Sequence, residues 1–548
     1  MRFATAALLA MTACTGGAPP KTAAPRDSGA PADLPDPDSA APDDTAAAPL
    51  DCAPLRMRLA QQLDAPALPS RDGLEKAEHG ASLGDLDGDG DVDALVAWEG
   101  GSFIAENDGT GVFRVDDSWT VDGAPLPSAT SAFLLDLDAD GDLDGYLGRS
   151  AGGPDLLLYN EAPGQWRGAP LEGSETGSFA ATFGDVDGDG DVDLLISSRP
   201  AEIFSSQFLD GTLVGQPNHL YLREGAAFVR ADDRLPTDRN HGVTFQASLA
   251  DVDGDGDLDI YEVNDGGYQV KPNELWINDG AGRFSPDSAC ACDRPMYAMG
   301  AVYSDWNGDL LPDFFVSNIG TQLYLQSDGP ARYVDMGLAL GAGIPLSDSH
   351  LTSWGMSVTD LDRDGNDDIY VTFGRSESDI EEVYGALPGT DPGWNDDDDQ
   401  FDAVLMGTDD GRFTAALDIG LEGAVGRQRG VSMGDLDGDG DDDALVMGKH
   451  MLRSWITEGG CPTGVGLRIA GPPENPHGLG ARVTVWRGAE AQTRWMMPGR
   501  YHGSDDHRLQ FGLRGAAAAD RIDVLLPNGE TITQNNVPAG ERVVEWSR

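Results

Sequence analysis

The chain has 548 residues, 36 Lys plus Arg against 94 Asp plus Glu, and a formal net charge of −58. A surface this acidic repels the phosphates of nucleic acids and the headgroups of anionic membranes, so neither is a direct electrostatic partner. The length allows two or three domains with buried cores, and 72 Gly with 34 Pro point to many turns between short strands. The charge is uneven: residues 51–460 carry 79 acids against 23 bases, whereas 1–50 and 461–548 are close to balance. A segment that repels itself so strongly is either disordered or neutralised by bound cations, and the spacing of its Asp residues decides between the two.

At the N-terminus, Arg2 precedes an apolar run from Phe3 to Ala13. This is shorter than the roughly 20 residues that span a bilayer and suits the apolar region of a secretory signal. The run ends Met11-Thr12-Ala13-Cys14, which resembles the lipobox of bacterial lipoproteins. That resemblance implies a lipoprotein signal over 1–14, in which Cys14 is lipidated and becomes the mature N-terminus, and a lipid-anchored place in the bacterial cell envelope facing the periplasm or the outside. Residues 15–50 hold 8 Pro and 10 Ala in 36 positions and read as an extended, disordered tether.

The segment 51–460 repeats one motif seven times, with first Asp residues 49 to 75 positions apart. Loop one is Asp85, Asp87, Asp89, Asp91 and Asp93; loop two Asp136, Asp138, Asp140, Asp142 and Asp144; loop three Asp185, Asp187, Asp189, Asp191 and Asp193. Loop four is Asp251, Asp253, Asp255, Asp257 and Asp259; loop five Asp305, Asn307, Asp309 and Asp313. Loop six is Asp360, Asp362, Asp364, Asn366 and Asp368; loop seven Asp435, Asp437, Asp439, Asp441 and Asp443.

A hard divalent cation takes six to eight oxygens at short range. Acids at positions 1, 3, 5 and 9 of a tight loop supply them, with the position-7 carbonyl added and a Gly at position 6 making the bend. About seven Ca²⁺ sites are therefore expected. Loop five is expected to be the weakest, because Asn307 replaces an acid and Leu310 replaces the bend Gly.

A helix–loop–helix calcium site needs a bidentate Glu at position 12. Here position 12 is Val96, Leu147, Ile196, Glu262, Val316, Val371 and Val446, so each loop joins two strands instead. A further hairpin follows in each repeat, clearest in Pro272–Phe284. Four strands in about 50 residues is the anatomy of a propeller blade.

The order strand, DxDxDGxxD loop, strand, hairpin resembles the FG-GAP repeat of integrin-α-type β-propellers. The fold class expected is all-β: a seven-bladed propeller over 51–460, followed by a small β-rich domain over 461–548. In that last domain Asn475-Pro-His-Gly-Leu-Gly-Ala-Arg-Val483, Phe511-Gly-Leu513 and Asp523-Val-Leu-Leu-Pro-Asn-Gly529 resemble the ASPIC/UnbV family, which commonly follows FG-GAP repeats.

Beyond Cys14 the chain has Cys52, Cys290, Cys292 and Cys461. An even number in an exported protein suggests disulfides. Cys290 and Cys292 can pair locally, which leaves Cys52 and Cys461 at the two ends of the repeat segment. The last repeat lacks a fourth strand, and Met57–Gln61, upstream of the first repeat, is placed to supply it.

Patterns of nucleophilic, zinc-protease and phosphate-loop catalysis are absent from the sequence. His79, His241, Tyr297, His350 and Arg429 each lie shortly before a first strand. In a propeller such positions gather at the central channel on the face opposite the Asp loops, where they form a candidate ligand pocket. Asp396–Asp399 beside Trp394 reads as an acidic surface insert.

The function expected is that of a calcium-binding cell-surface lipoprotein. It is a non-enzymatic binding or adhesion module with structural calcium in the blade loops, a surface protein or glycan as partner, and no membrane contact other than its lipid. The alternative is a calcium-dependent polysaccharide hydrolase or lyase that uses the propeller channel.

Overall fold

The computed structural model describes residues 52–64, 80–98, 100–150, 153–175, 177–200, 205–343, 351–374, 400–416, 418–421, 425–449, 451–497 and 499–546. Cys14, the tether, His79, His350 and the Asp396–Asp399 insert lie outside these residues. The fold is all-β; the helices among the described residues are short, at Ser205–Asp210, Asp232–Arg234 and Gly337–Leu340. No helix among the described residues is long and apolar enough to cross a membrane.

Among the described residues seven sheets follow one another, and each carries one Asp loop between its first and second strands. The third and fourth strands form the hairpin. Blade four shows the pattern: Thr244–Ala250, Asp259–Asn264, Glu274–Asn278 and Phe284–Pro286 pair antiparallel in chain order. Blade two adds an outer hairpin, Thr120–Val121 with Ala124–Pro125, whose first strand runs parallel to Gln165–Pro170.

First and second strands are buried throughout, as in Ser178–Gly184 and Asp193–Ser198. The outermost strands alternate, as in Phe113–Asp116, where Phe113 points inward and Arg114 is exposed. That gradient follows from the geometry, because apolar faces pack sheet against sheet while outer edges meet water. Leu83, Val96 and Phe113 of blade one thus pack on Leu445, Met447 and Ile456 of blade seven.

The first strands neighbour one another around a closed ring. Where blades four and five meet, Gln246 Nε2 donates to Ala301 O at 2.8 Å and Gln246 Oε1 accepts from Ala301 N at 3.1 Å.

Blade seven is completed by the start of the chain. Ala53–Asp64 pairs antiparallel with Met451–Gly460, with Met57 opposite Thr457. Cys52 and Cys461 are joined by a disulfide beside this pair, at a sequence separation of 409. A second disulfide joins Cys290 and Cys292 in the core between blades four and five.

The C-terminal segment forms two sheets. One has strands Leu509–Gly512, Gly464–Ala470 and Arg542–Glu545; the other has Glu490–Trp495, Arg482–Arg487, Ala518–Leu525 and Thr531–Pro538. It is not packed as a separate module. Its Val465, Val483, Phe511 and Ile522 share one core with Phe133, Tyr146, Phe183 and Leu194 of blades two and three.

Candidate cation loops and the filled channel

In every loop the position-1 Asp binds the loop's own backbone. Its Oδ2 accepts from the position-6 N–H at 2.9–3.2 Å in all seven. Its Oδ1 accepts from the position-4 N–H at 2.7–2.8 Å in the first five. The position-5 side chain accepts from the position-7 N–H at 2.9–3.2 Å in all seven. Short Asp side chains that bond backbone two to five residues on wind the chain into a ring of oxygens.

The winding needs left-handed backbone at two positions. Position 6 has φ from 69 to 99°, at Gly90, Gly141, Gly190, Gly256, Leu310, Gly365 and Gly440. Position 4 is left-handed as well, including Ala139 at 62° and Arg363 at 55°. The sequence reading named only the position-6 bend.

Leu310 adopts the strained region at φ 69° and is 36% exposed, so its side chain returns little burial for that strain. Leu310→Gly should therefore raise stability by about 1 kcal/mol, read from urea unfolding midpoints at constant m-value.

The position-9 Asp ties each loop to its sheet. Oδ2 accepts from the position-2 N–H at 2.8–3.1 Å. Oδ1 accepts from a backbone N–H at the end of the third strand at 2.6–2.9 Å. All seven are at most 2% exposed. Burial outweighs these bonds and pushes Asp93 and Asp144 up to about 7, and Asp193, Asp259 and Asp313 up to about 8. Asp368 and Asp443 are raised well above the usual carboxylate range by the same cause. A carboxylate kept dry among like charges has its charged form disfavoured unless a cation is supplied.

One carboxylate oxygen from each of positions 1, 3 and 9 lies within 4.8 Å of the others in loops one, two, three and six; in loop four the group is Asp251, Asp253 and Asp255. These Asp groups are placed to hold metal ions. Six loop carboxylate oxygens among the described residues support this fit: Oδ1 of Asp187, Asp191, Asp360, Asp435, Asp437 and Asp441 is buried and accepts no hydrogen bond. Loop five keeps the same winding, but Asn307 turns its amide to donate to Asp309 Oδ2 at 3.1 Å and to Ser327 O at 3.0 Å. In loop six Asn366 Nδ2 donates to Asp364 and Asp409, both at 3.1 Å. Glu262, the exception at position 12, turns away from loop four to Lys271 and Asn218.

The channel is where the structure departs most from expectation. The segment Arg500–His507 of the C-terminal domain enters the ring and meets its inner strands. Ser504 N donates to Ala81 O at 3.2 Å and Leu83 N to Ser504 O at 3.3 Å, while Ala132 N donates to His502 O at 3.1 Å. His502 packs on Phe179 with ring centroids 4.3 Å apart. Tyr501 stacks on Phe245 at 6.2 Å, with an interplanar angle of 2°, and packs against Trp354 at 6.3 Å. Asp505 accepts from Ser357 at 3.0 Å and from Met433 N at 2.8 Å. Blade five is met by Trp495, which packs on Tyr303 at 5.7 Å.

The backbones approach so closely that a Cβ on Gly503 would lie 1.9 Å from Ala81 O. Gly503→Ala should therefore cost about 1–3 kcal/mol or more through overpacking, visible as a lowered melting temperature of the full chain.

This corrects the proposed ligand pocket. Tyr297 and Arg429 are both buried, Tyr297 in the cluster that also contains Trp354 and Tyr501, and Arg429 over the Trp354 ring at 3.9 Å. The space they were expected to line is packed with protein. His241 is exposed. Sequence reasoning missed Arg500–His507 because an irregular loop that fills another domain's channel carries no periodic signal.

The family model described as FG-GAP-like repeat matches residues 136–196 and 251–316, and the one described as ASPIC and UnbV matches 471–544. No curated protein matches the chain. Solved structures with a similar course include an Agrocybe aegerita lectin whose structure describes specific recognition of non-reducing terminal N-acetylglucosamine (14% identity, 70% of this chain and 86% of that one, TM-score 0.40). The extracellular domain of a putative hybrid two-component system from B. thetaiotaomicron is another (10% identity, 89% and 59%, TM-score 0.38), and a Bacillus licheniformis rhamnogalacturonan lyase a third (13% identity, 73% and 75%, TM-score 0.34). Likeness at this level says nothing of what this chain binds. Seven successive sheets, each carrying a wound Asp loop, thus form a propeller-like all-β fold that matches the FG-GAP-like repeat over 136–196 and 251–316 and is followed by a β-rich segment that matches ASPIC and UnbV over 471–544.

Proposed function

We propose that this is an extracellular, calcium-binding propeller held at a cell surface by a lipid on Cys14, and that it binds a surface protein or glycan without catalysing a reaction. The observation that carries the calcium reading is the set of buried carboxylates in the loops, above all Oδ1 of Asp187, Asp360, Asp435 and Asp437, which accept no hydrogen bond. Oxygen-only donor sets in a tight loop suit calcium over softer metals. The two disulfides support an oxidising compartment. The alternative of a polysaccharide hydrolase or lyase needs an open channel, and Arg500–His507 stands in it; this favours the binding reading.

Elemental analysis of the chain dialysed against about 1 mM calcium, with the dialysate subtracted, tests the metal. At least four bound calcium ions are expected, and fewer would overturn the reading. Membrane fractionation tests the anchor: Cys14→Ser should leave the membrane fraction, and retention after a salt wash would refute lipidation. Capture of partners from cell-surface extracts with and without calcium tests the binding role, with release of oligosaccharide from acidic polysaccharides as the outcome that would favour the enzyme.

A further inference from the structure

We propose that loops six and seven are shared sites: the C-terminal domain holds their carboxylates in place, and a cation bound there in turn fixes that domain on the propeller. This rests on the reading of the loops as calcium sites.

Position 8 separates these two loops from the rest. It is Val92, Leu143, Val192, Leu258 and Pro312 in the first five, but Asp367 and Asp442 in the last two. Both acids are 5% exposed, and both meet a buried arginine of the C-terminal domain. Asp367 Oδ1 accepts from Arg494 Nε at 2.9 Å and Nη2 at 2.5 Å. Asp442 Oδ1 accepts from Arg508 Nη1 at 2.5 Å. The second oxygens are taken by hydroxyls of the preceding blades, Ser304 for Asp367 and Thr359 for Asp442.

The same domain also reaches cation-loop atoms. Gln492 Nε2 bridges Asp367 Oδ1 at 2.7 Å and Asp360 Oδ2 at 3.0 Å. Gly512 N donates to Asp360 Oδ2 at 2.8 Å. Arg508 Nη2 donates to Gly440 O, the bend of loop seven, at 2.8 Å. Together with Gly365 N of the loop itself, these donors from outside the propeller engage Asp360 Oδ2, whereas Oδ1 of the same buried group accepts no hydrogen bond. In loop one, by contrast, the donors to Asp85 and Asp93 are Leu86, Gly88, Gly90 and Asn107, all from blade one.

A group that orients a metal ligand raises the site's affinity, and removing it typically costs about 10- to 100-fold. Linkage makes the effect reciprocal, so a cation that binds better when the domain is seated also seats the domain better. Gln492 and Arg494 are positioning residues on this account, and the cation acts as a clamp between the two parts of the chain.

The test uses the full mature chain with calcium alone as probe. Equilibrium dialysis over a range of free calcium should show one ion of Gln492→Ala released at roughly tenfold higher calcium than in the wild type, with the others unmoved. Gln492 carries no charge, so its loss leaves no unpaired ion in the core. In hydrogen exchange, Asp362→Asn should speed the amides of 500–508 several-fold, whereas Asp87→Asn in loop one should not. Unchanged affinities in Gln492→Ala, or equal exchange in the two loop variants, overturns the shared sites. Should Asp362→Asn fail to fold, the Gln492→Ala midpoint decides alone. A wild-type chain that takes up no calcium overturns the underlying cation reading as well, whereas uptake without loop-specific effects overturns the sharing only.

Discussion

Melted in about 1 mM calcium and again in excess chelator, the full chain should show a large fall in melting temperature in chelator. A site with a dissociation constant of about 0.1 mM contributes roughly 1.4 kcal/mol at that concentration. Seven such sites contribute about 10 kcal/mol, comparable with the whole stability of an ordinary domain. Asp87→Ala or Asp187→Ala should reduce the shift. Asn307→Ala should change it least, because the Asn307 amide already donates to the Asp309 carboxylate.

The pH dependence has an unusual sign. In chelator the buried position-9 carboxyls have folded values near 7 to 8, far above the unfolded value of about 3.9. The folded state then binds more protons than the unfolded state between those limits, so stability falls as pH rises. The calcium-free chain should melt higher at about pH 6 than at about pH 8. With calcium bound the carboxyls are held ionised, and acidification should lower the melting temperature by releasing the metal. A chelator-insensitive melt, or the same pH slope with and without calcium, would count against calcium as the structural ion.

The second large effect is at the seam of the ring. Removing 52–64 deletes the outer strand of blade seven, uncovers the edge of Met451–Gly460, and removes Met57 from its place beside Tyr370 and Trp455. It also removes the disulfide, which in the chain-entropy model is worth about 6 kcal/mol for a loop this long. The truncated chain should unfold at markedly lower urea concentration. Cys52→Ser with Cys461→Ser should recover part of the difference, because the strand pairing remains. Equal stability of the truncated and intact chains would show that blade seven needs no outer strand.

How much of this was legible in the sequence differs from element to element. The seven loops were legible because a cation site demands acids at fixed spacing, and the strand on either side followed from apolar position-12 residues such as Val96 and Ile196. The closing strand was legible because the last repeat visibly lacked a partner. The double left-handed winding was half legible: Gly marks position 6 in six loops, but Ala139 and Arg363 hide the strain at position 4. The seating of the C-terminal domain was not legible. Asp367 and Asp442 looked like two more acids in acid-rich loops, and nothing local tells a carboxylate that faces a cation from one that faces Arg494 or Arg508. Blade geometry put Tyr297 and Arg429 forward as pocket-lining residues, yet both are buried, and the segment that fills the channel comes from more than 70 residues beyond Arg429.

The seam also bears on how the chain reaches its native state. Ala53–Asp64 leaves the ribosome or translocon first, yet its partner Met451–Gly460 follows almost 400 residues later. Six sheets can assemble from neighbouring segments as they emerge, while the first strand waits unpaired. Until it arrives, the edge of Met451–Gly460 offers free backbone donors and acceptors to any matching strand. At high concentration the nearest match is Ala53–Asp64 of another copy, so domain-swapped dimers and longer chains are the expected misassembly products, locked by an intermolecular Cys52–Cys461 bond when the exchange precedes oxidation.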